Sequence, residues 1–532
     1  MPVPFSLRHG GASLLLTLLV SGCAVHTPYS QPDLNLPSAW QATAATPLVL
    51  ASADSATGWW QQFDDPLLDR WIADVLNRNS DLASASLKTR RARLQAGLSA
   101  DALRPALSAD ASNSLSQDLD HGNESRQSSA RLGLSYEWDL WGRLSSRDAA
   151  AQWEAQATDA DREAVRQGLV VTTASLYWQA GYLNQRVAAS SENIANARKT
   201  WQIVNVQHRA GAASALDLAE ITRSLAALES THAQLLQSRD ENLRALALLR
   251  DAPPSTELPV PLQLPDTRLH DLAAGLPASL LARRPDVQAA ELRLRKSYAS
   301  ADATRADYYP RLSLTGALGT SSSALLNLLS NPVATLGAGL SLPFLQATEM
   351  RLNRDIADTD TELAVISFRQ TLYQAFAEVE NALSAQTRYT SETSQRQLAL
   401  DAARETERLQ QVRYQAGAVD LKTLLDAQDA RRSSETSLWE ARLNQRINQL
   451  KLWQALGACL MTPPRQRPDS LLRADTRRAA GNPACCPLSL SCPHCFRGVP
   501  ALWRCYCPAM GPAAHYPAPP EPYPRSLAIP PQ

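Results

Sequence analysis

Two glycine-centred stretches, 206 residues apart, constrain this chain more than any other feature. His208-Arg209-Ala210-Gly211-Ala212-Ala213-Ser214 and Tyr414-Gln415-Ala416-Gly417-Ala418-Val419-Asp420 each interrupt a long Ala/Leu/Gln/Arg-rich helical pattern. Glycine tolerates the left-handed backbone just past a helix end, and Ser or Asp three residues on suits the N-cap of the next helix. Each stretch reads as the tight tip of a helical hairpin. The same register recurs elsewhere. Leu76 to Leu82 precedes Leu281 to Val287 by 205 residues, and Pro105-Ala106-Leu107-Ser108 precedes Pro310-Arg311-Leu312-Ser313 by 205. Gly133-Leu134-Ser135 precedes Gly339-Leu340-Ser341 by 206. A period this long is no solenoid repeat; it marks tandem duplication of a whole structural unit.

Within each unit the hydrophobic period changes. A helical pattern follows Trp59-Trp60-Gln61-Gln62-Phe63-Asp64-Asp65-Pro66 and runs to about Leu103, where Pro105 ends it. Alternation of period two then takes over, with Leu107, Ala109, Ala111 and Leu115 against Ser108, Asp110, Ser112 and Ser114. Leu132, Leu134, Tyr136 and Trp138 alternate likewise with Arg131, Ser135, Glu137 and Asp139. The second unit repeats this around Leu312 to Leu318 and Leu336 to Leu342. The alternation predicts four strands of about ten residues, over about 106–116, 130–140, 311–321 and 333–343, each with one apolar and one polar face. The rest is helical. About Leu144 to His208 would reach roughly 95 Å at 1.5 Å per residue. Ala150, Trp153, Ala157, Ala160 and Ala164 form a heptad seam of mostly small residues within it. Helices of about Ser214 to Leu249, Thr348 to Tyr414 and Asp420 to Leu456 complete the two hairpins.

The first 22 residues read as a secretory signal: Arg8 precedes an apolar run, Ala12 to Val20, too short to span a bilayer. Val20-Ser21-Gly22-Cys23 looks like a bacterial lipobox, which implies cleavage before Cys23 and a lipid on it. Such a chain tethers a protein to a membrane surface without crossing it. Residues 23–57 are polar and Pro-spaced, an extended anchored segment. Between Cys23 and Cys459 there is no cysteine, so the body holds no disulfide and no thiolate metal site. Residues 459–532 lose helical periodicity and fill with Cys, Pro and Arg; they read as disordered or as a stretch translated in a shifted frame. Cys492-x-x-Cys495 and Cys505-x-Cys507 lie in that tail and are not expected to bind metal. Lys and Arg together number 52, as do Asp and Glu, so there is no electrostatic footprint for a nucleic-acid partner.

Ten-residue tilted strands match a bilayer's hydrocarbon core. Trp138, Trp141, Tyr308, Tyr309 and Phe344 fall near strand ends, where an interfacial girdle would lie. Four strands cannot close alone, and a membrane does not tolerate an open edge, so several chains must share one barrel. Glu137 and Asp139 read as solvated lumen carboxylates; no nucleophile or His lies beside them to make an acid–base pair. No enzyme activity and no cofactor are expected.

Tyr29, Pro32, Leu36-Pro37, Trp40, Trp59-Trp60, Asp65-Pro66, Tyr136-Glu137-Trp138-Asp139-Leu140-Trp141-Gly142-Arg143, Arg283-Arg284-Pro285-Asp286-Val287 and Leu424-Leu425-Asp426-Ala427-Gln428 together carry a family likeness. From Cys23 to about Gly457 the chain resembles TolC-like outer-membrane factors, in their NodT-type lipoprotein subgroup. The resemblance implies a mostly α protein with a membrane β-barrel segment, built from two tandem repeats (58–254 and 255–458). Four strands per chain would enter a trimeric twelve-stranded barrel continuous with a long α-helical barrel. It implies an outer-membrane exit duct of a tripartite efflux system, a homotrimer that meets a periplasmic adaptor and an inner-membrane transporter. The resemblance places adaptor docking at the tips: Arg209, Ala210, Gly211 and Ser214, then Gln415, Ala416, Gly417 and Asp420. It places the periplasmic gate at Lys422, Asp426 and Asp429, with Asp426 forming an anionic ring. Lys422 stands where the family commonly has an apolar residue, and Asp429 where it commonly has Arg. The competing reading is a lipid-anchored periplasmic coiled-coil adaptor or scaffold, which the four alternating strands disfavour.

Overall fold

The computed structural model describes residues 26–30, 32, 40, 58–117, 124–256, 259–266, 284–323 and 332–457. A 3₁₀ turn (Trp59–Phe63) leads into α1 (Pro66–Arg78), α2 (Ser80–Asp101), β1 (Ala106–Gln117), β2 (Glu124–Trp138), α3 (Arg143–Arg209) and α4 (Ala215–Leu249). The second half follows with α5 (Pro285–Ala306), β3 (Arg311–Ser322), β4 (Pro332–Ser341), a 3₁₀ turn (Pro343–Leu345), α6 (Ala347–Gln415) and α7 (Leu421–Ala455). Helices α2 and α5 both have 22 residues, offset by 205, and α4 and α7 both have 35, offset by 206. The duplication is present element for element.

Two boundaries differ from expectation. The helical run after Pro66 is two helices, because Asn79 turns the chain and caps α2 by accepting from Leu82 N at 3.0 Å. Its amide also donates to Leu249 O, 3.0 Å away at the end of α4. Strand β2 begins at Glu124, six residues before the alternation starts. Ser125, Gln127, Ser128 and Ser129 are polar on both faces there, so period two carries no signal.

The four strands form an antiparallel meander in the order β1-β2-β3-β4. Side by side, α2 packs on α3, α3 on α5 and α5 on α6, so α2 and α6 end that row as β1 and β4 end the sheet. Beyond it, α3 pairs with α4, α6 with α7, and α7 lies against α3.

The core sits midway along the helices. There α3 is apolar almost all round, with Leu169, Val170, Val171, Ala174, Tyr177, Trp178, Ala180 and Leu183 buried, which is the pattern of a helix enclosed on every side. Trp59 stacks on Trp453 at 5.4 Å, and Phe63 meets Trp178 edge-on at 5.0 Å. Asp65 caps α1 through Leu67 N and Leu68 N and accepts from the buried Tyr177 hydroxyl. A strap at 259–266 crosses α3, accepting from Trp71 Nε1 at Pro259 O and from Asn184 at Pro261 O. Gly181 leaves room for it: a Cβ there would lie 2.8 Å from Gln263 O.

Candidate functional site

Strand register decides what each face of the sheet can touch. Leu107 lies opposite Leu134, Leu132 opposite Leu318, Trp138 opposite Leu312, and Leu312 opposite Leu340. Opposed residues share a face, so these side chains make one apolar surface. It is open: Leu107 is 84 % exposed and Leu336 92 %. The other face is hydroxyl and glycine. Ser108 lies against Gly133, Ser313 against Gly339 and Thr315 against Gly337, and Ser112 and Ser129 share a 2.8 Å hydrogen bond. Glycine opposite Ser108, Ser313 and Thr315 gives those oxygens space close to the backbone, where a Cβ would meet them within 3 Å. One face suits lipid and the other suits water.

The helix-side end of the sheet is locked by charge. Arg143, buried at the start of α3, donates to both Glu137 oxygens at 2.7 Å and reaches Asp307 at 3.5 Å. Asp307 also accepts from Arg147 and Arg311. Asp139 accepts from Leu144 N and Ser145 N at 2.9 and 2.8 Å, capping α3. Glu137 and Asp139 are therefore junction residues, not the solvated lumen carboxylates their alternation suggested. The reason is the sharp turn at Gly142 (φ 77°), which brings α3 back under β2. Trp141 stacks on Tyr309 at 5.0 Å and donates to Pro310 O at 2.8 Å, so the expected aromatics gather at this end.

Both hairpin tips are Schellman turns. In the first, Gly211 N donates to His208 O (3.0 Å) and Ala212 N to Gln207 O (2.7 Å); in the second, Gly417 N donates to Tyr414 O (3.0 Å) and Ala418 N to Arg413 O (2.8 Å). The glycines sit at φ 74° and 70°, left-handed as expected. Ser214 and Asp217 form a reciprocal capping box, whereas Asp420 caps one way, accepting from Thr423 N at 2.9 Å. The Thr423 hydroxyl and amide hold the Asp420 carboxyl below its usual pKa. Arg209, Ala210, Gly211, Ser214, Gln415, Ala416, Gly417 and Asp420 are all exposed. Sequence reading did not anticipate that the two tips share a small core. Val204 and Ile221 of the first hairpin meet Leu421 and Leu425 of the second, with Trp201 and Tyr414 around them.

Lys422, Asp426 and Asp429 are exposed on α7. Lys422 Nζ donates to Asp426 at 2.5 Å, and this carboxylate holds the ammonium above its usual pKa. Asp429 is paired with Arg432. Each acid on this face thus has its own cation, a pairing the bare anionic ring did not include. One turn on, Arg431 ties three helices together, reaching Glu407 of α6 (2.6 Å), Glu435 of its own helix (2.8 Å) and Asn193 of α3 (3.3 Å).

The N-terminal segment runs along α5. Thr27 donates from its amide and hydroxyl to the buried Asp302 at 2.7 and 2.6 Å, and Tyr29 packs edge-on against Tyr298. Arg295 lies over the Tyr29 ring at 4.5 Å. Cys23, the signal at 1–22 and the tail at 459–532 lie outside the described residues. Arg284 escaped assignment although its motif was visible. Its guanidinium, buried at the foot of α5, reaches Asp286 (2.6 Å), Glu378 of α6 (2.7 Å) and the carbonyl of Ala455 (3.4 Å).

A sheet with one lipid-compatible face, carried on long helical hairpins, defines a barrel-forming membrane channel with a helical extension. The family model described as outer membrane efflux protein matches residues 71–250 and 276–458. The pyoverdine export outer membrane protein OpmQ of Pseudomonas putida KT2440 is 30 % identical over 458 residues, 84 % of this chain and 96 % of that protein. The outer membrane protein OprJ of Pseudomonas aeruginosa PAO1 is 29 % identical, over 84 % of this chain and 95 % of its own. Among solved structures, the outer-membrane channel OprN matches with a TM-score of 0.74 at 27 % identity, over 82 % of this chain and 99 % of that one. The chain belongs to the outer membrane efflux protein family. It is an outer-membrane efflux channel with periplasmic helical hairpins.

Proposed function

We propose that three copies form a passive exit duct for drugs or other small molecules, a twelve-stranded barrel over a helical tube, fed by a periplasmic adaptor and an inner-membrane transporter. The observation that carries this reading is the sheet itself: one face open and apolar, the other hydroxyl-lined, and the outer edges of β1 and β4 unpaired among the described residues. An open edge is not stable in lipid, so the barrel must be completed by other copies. The duct has no catalytic step; energy enters at the inner membrane. The two repeats are read as 58–254 and 255–458, with 23–57 as the anchored segment.

Cys23 carries the lipid in this reading. Thr27 is held at Asp302, nine residues before β3 begins, and four extended residues reach at most about 14 Å. That reach supports a lipid attachment near the membrane end of the helices. The exposed tips, Arg209 to Ser214 and Gln415 to Asp420, dock the adaptor. Lys422, Asp426 and Asp429 line the gate, with Lys422–Asp426 pairs in place of bare carboxylates. The test is single-channel conductance of protein reconstituted in lipid, with heat-modifiable migration as the check on assembly. A trimer that conducts in wild type and conducts more in Asp426→Ala is expected. A stable monomer without conductance overturns the duct, and an Asp426→Ala channel as closed as wild type overturns the gate alone.

A further inference from the structure

A cleft of about 250 Å³ opens between α3 and α4 of the first hairpin and α7 of the second. Counted along α3 from Ser190 to Arg209 at 1.5 Å per residue, it lies roughly 30 Å from the tips. Its hydroxyl lining is unmatched. A Ser or Thr inside a helix can return its hydroxyl to the carbonyl four residues back, and Ser191 and Ser434 do so at 3.0 and 2.8 Å. Ser190 and Ser433, their neighbours in sequence, line the cleft instead, together with Thr436 and Ser437. None of these four hydroxyls has a hydrogen-bond partner among the described residues. Ser190 is 8 % exposed, and a buried hydroxyl left unmatched lowers stability.

Arg186 adds a charge. Its guanidinium donates to the Tyr182 hydroxyl at 3.2 Å and lies 5.5 Å from the centre of that ring. That hydrogen bond uses one of five N–H donors, and no carboxylate pairs with Arg186 among the described residues. The other charges on the cleft are already answered, Arg432 by Asp429, and Glu435 by Arg404 and Arg431. The remaining wall is apolar, with Trp439 and Leu235 facing the hydroxyls' space.

The duplication shows that helix packing does not require this lining. At the 206-residue offset, Arg186 corresponds to Glu392 and Ser190 to Arg396, and those two neutralise each other at 3.5 Å. On α4, the counterparts of Ser433 and Trp439 are Ala227 and Ala233. The hairpin the two halves share is therefore built without an unpaired arginine, free hydroxyls or an indole at these positions. Only the first hairpin's α3 and the second hairpin's α7 bring all of them to one place.

We propose that this cleft binds a small aromatic carboxylate, with the carboxylate on Arg186 and the hydroxyls of Ser190 and Ser433, and the ring against Trp439 and Leu235. A guanidinium with free N–H groups recognises a carboxylate through two parallel hydrogen bonds, and each hydroxyl can donate one more. The apolar wall selects a carboxylate that carries a ring over a bare inorganic anion. The volume falls below the roughly 300–1,000 Å³ of sites for drug-sized ligands, which limits the occupant to about one ring. A ligand seated there touches both hairpins at once, beside the contact from Arg431 to Asn193 that already joins them. The site lies within one chain, so it is independent of how copies assemble and of the duct reading.

Calorimetric titration of benzoate into the full-length protein in detergent tests it. Saturable binding of one benzoate per chain is expected, with a melting temperature that rises as the site fills. Benzamide keeps the ring and loses the charge, and it should bind about tenfold more weakly. Acetate keeps the charge and loses the ring, and it should also bind more weakly than benzoate. Arg186→Gln should weaken benzoate by about tenfold. Ser433→Val removes a donor and crowds the cleft from an exposed position, so it tests the site even where Arg186→Gln does not fold; it should weaken benzoate several-fold. Absence of saturable binding up to the solubility limit of benzoate overturns the site. Equal affinity for benzamide overturns its charge recognition, and equal affinity for acetate overturns the aromatic class. Unchanged affinity in Ser433→Val, or in a folded Arg186→Gln, places any binding elsewhere and overturns the assignment.

Discussion

Gly417 allows docking to be separated from folding. Its φ of 70° disfavours a side chain, yet a Cβ there meets nothing within 4 Å. Gly417→Ala should cost only about 1–2 kcal/mol of local backbone strain, leaving assembled protein intact, while efflux-dependent resistance falls if the tip meets an adaptor. Unchanged resistance with normal assembly removes the tip from docking. Arg284 is the opposite kind of residue, wholly internal. Arg284→Ala strands the Ala455 carbonyl and two carboxylates, and roughly 2–3 kcal/mol of stability should be lost, read as a lowered melting temperature. Its partner gives a pH test. Burial pushes Asp286 up, but the Arg284 guanidinium outweighs it and holds the carboxyl below its usual range. A depressed carboxyl contributes stability that is full above its unfolded pKa and lost as pH falls through the folded one. Melting temperature should therefore hold from neutral pH to about pH 4 and drop below it, with a shallower drop in Asp286→Asn. The Arg-Pro-Asp motif was visible in sequence, but not its role, because the partners lie 94 and 171 residues away.

At the scale of elements, the sequence was most legible where one physical period ran uninterrupted. Both tips, both long hairpins and the apolar halves of all four strands follow from glycine geometry and from periods of two and 3.6. The break at Asn79 was hidden because its reason is a contact with Leu249, 170 residues away. Asn79→Ala removes both cap and tie, and a loss of about 1–2 kcal/mol is expected, with faster amide exchange in the first turn of α2. The start of β2 was hidden because polar residues on both faces erase alternation. The α6 stripe of Leu352, Ile356, Leu363, Ile366 and Tyr373 is 41 to 58 % exposed in one chain, whereas Ala150 and Ala157, 206 residues before Ile356 and Leu363 on α3, are buried. Ile356→Glu with Leu363→Glu should leave the chain's helical content unchanged, measured by circular dichroism, while trimer yield on unheated gels falls sharply.

For the whole molecule, the contacts proposed for the gate are ion pairs between exposed groups of one helix, so they should weaken with salt. Conductance of reconstituted channels should rise between low and high ionic strength by more than bulk conductivity does, and Lys422→Ala should reduce that excess. A strictly proportional rise removes these pairs from the gate. The helix-side end of the sheet should respond differently. Arg143, with its side chain 9 % exposed, holds Glu137 through two 2.7 Å hydrogen bonds and is shielded from ions. Its lock should persist at salt concentrations that open the tips.

The sequence alone determined the duplication, the hairpin tips and the amphipathic strands, because each is written in short local patterns, the duplication being such patterns repeated 205 to 206 residues on. Only the tertiary structure decided which residues answer one another across the fold. It paired Thr27 with Asp302, Arg143 with Glu137 and Asp307, and Lys422 with Asp426, and it set the two tips on one shared core. These are matters of packing and neighbour order. No local period records them, since the energy of a buried charge or a shared core depends on what the far parts of the chain bring to it.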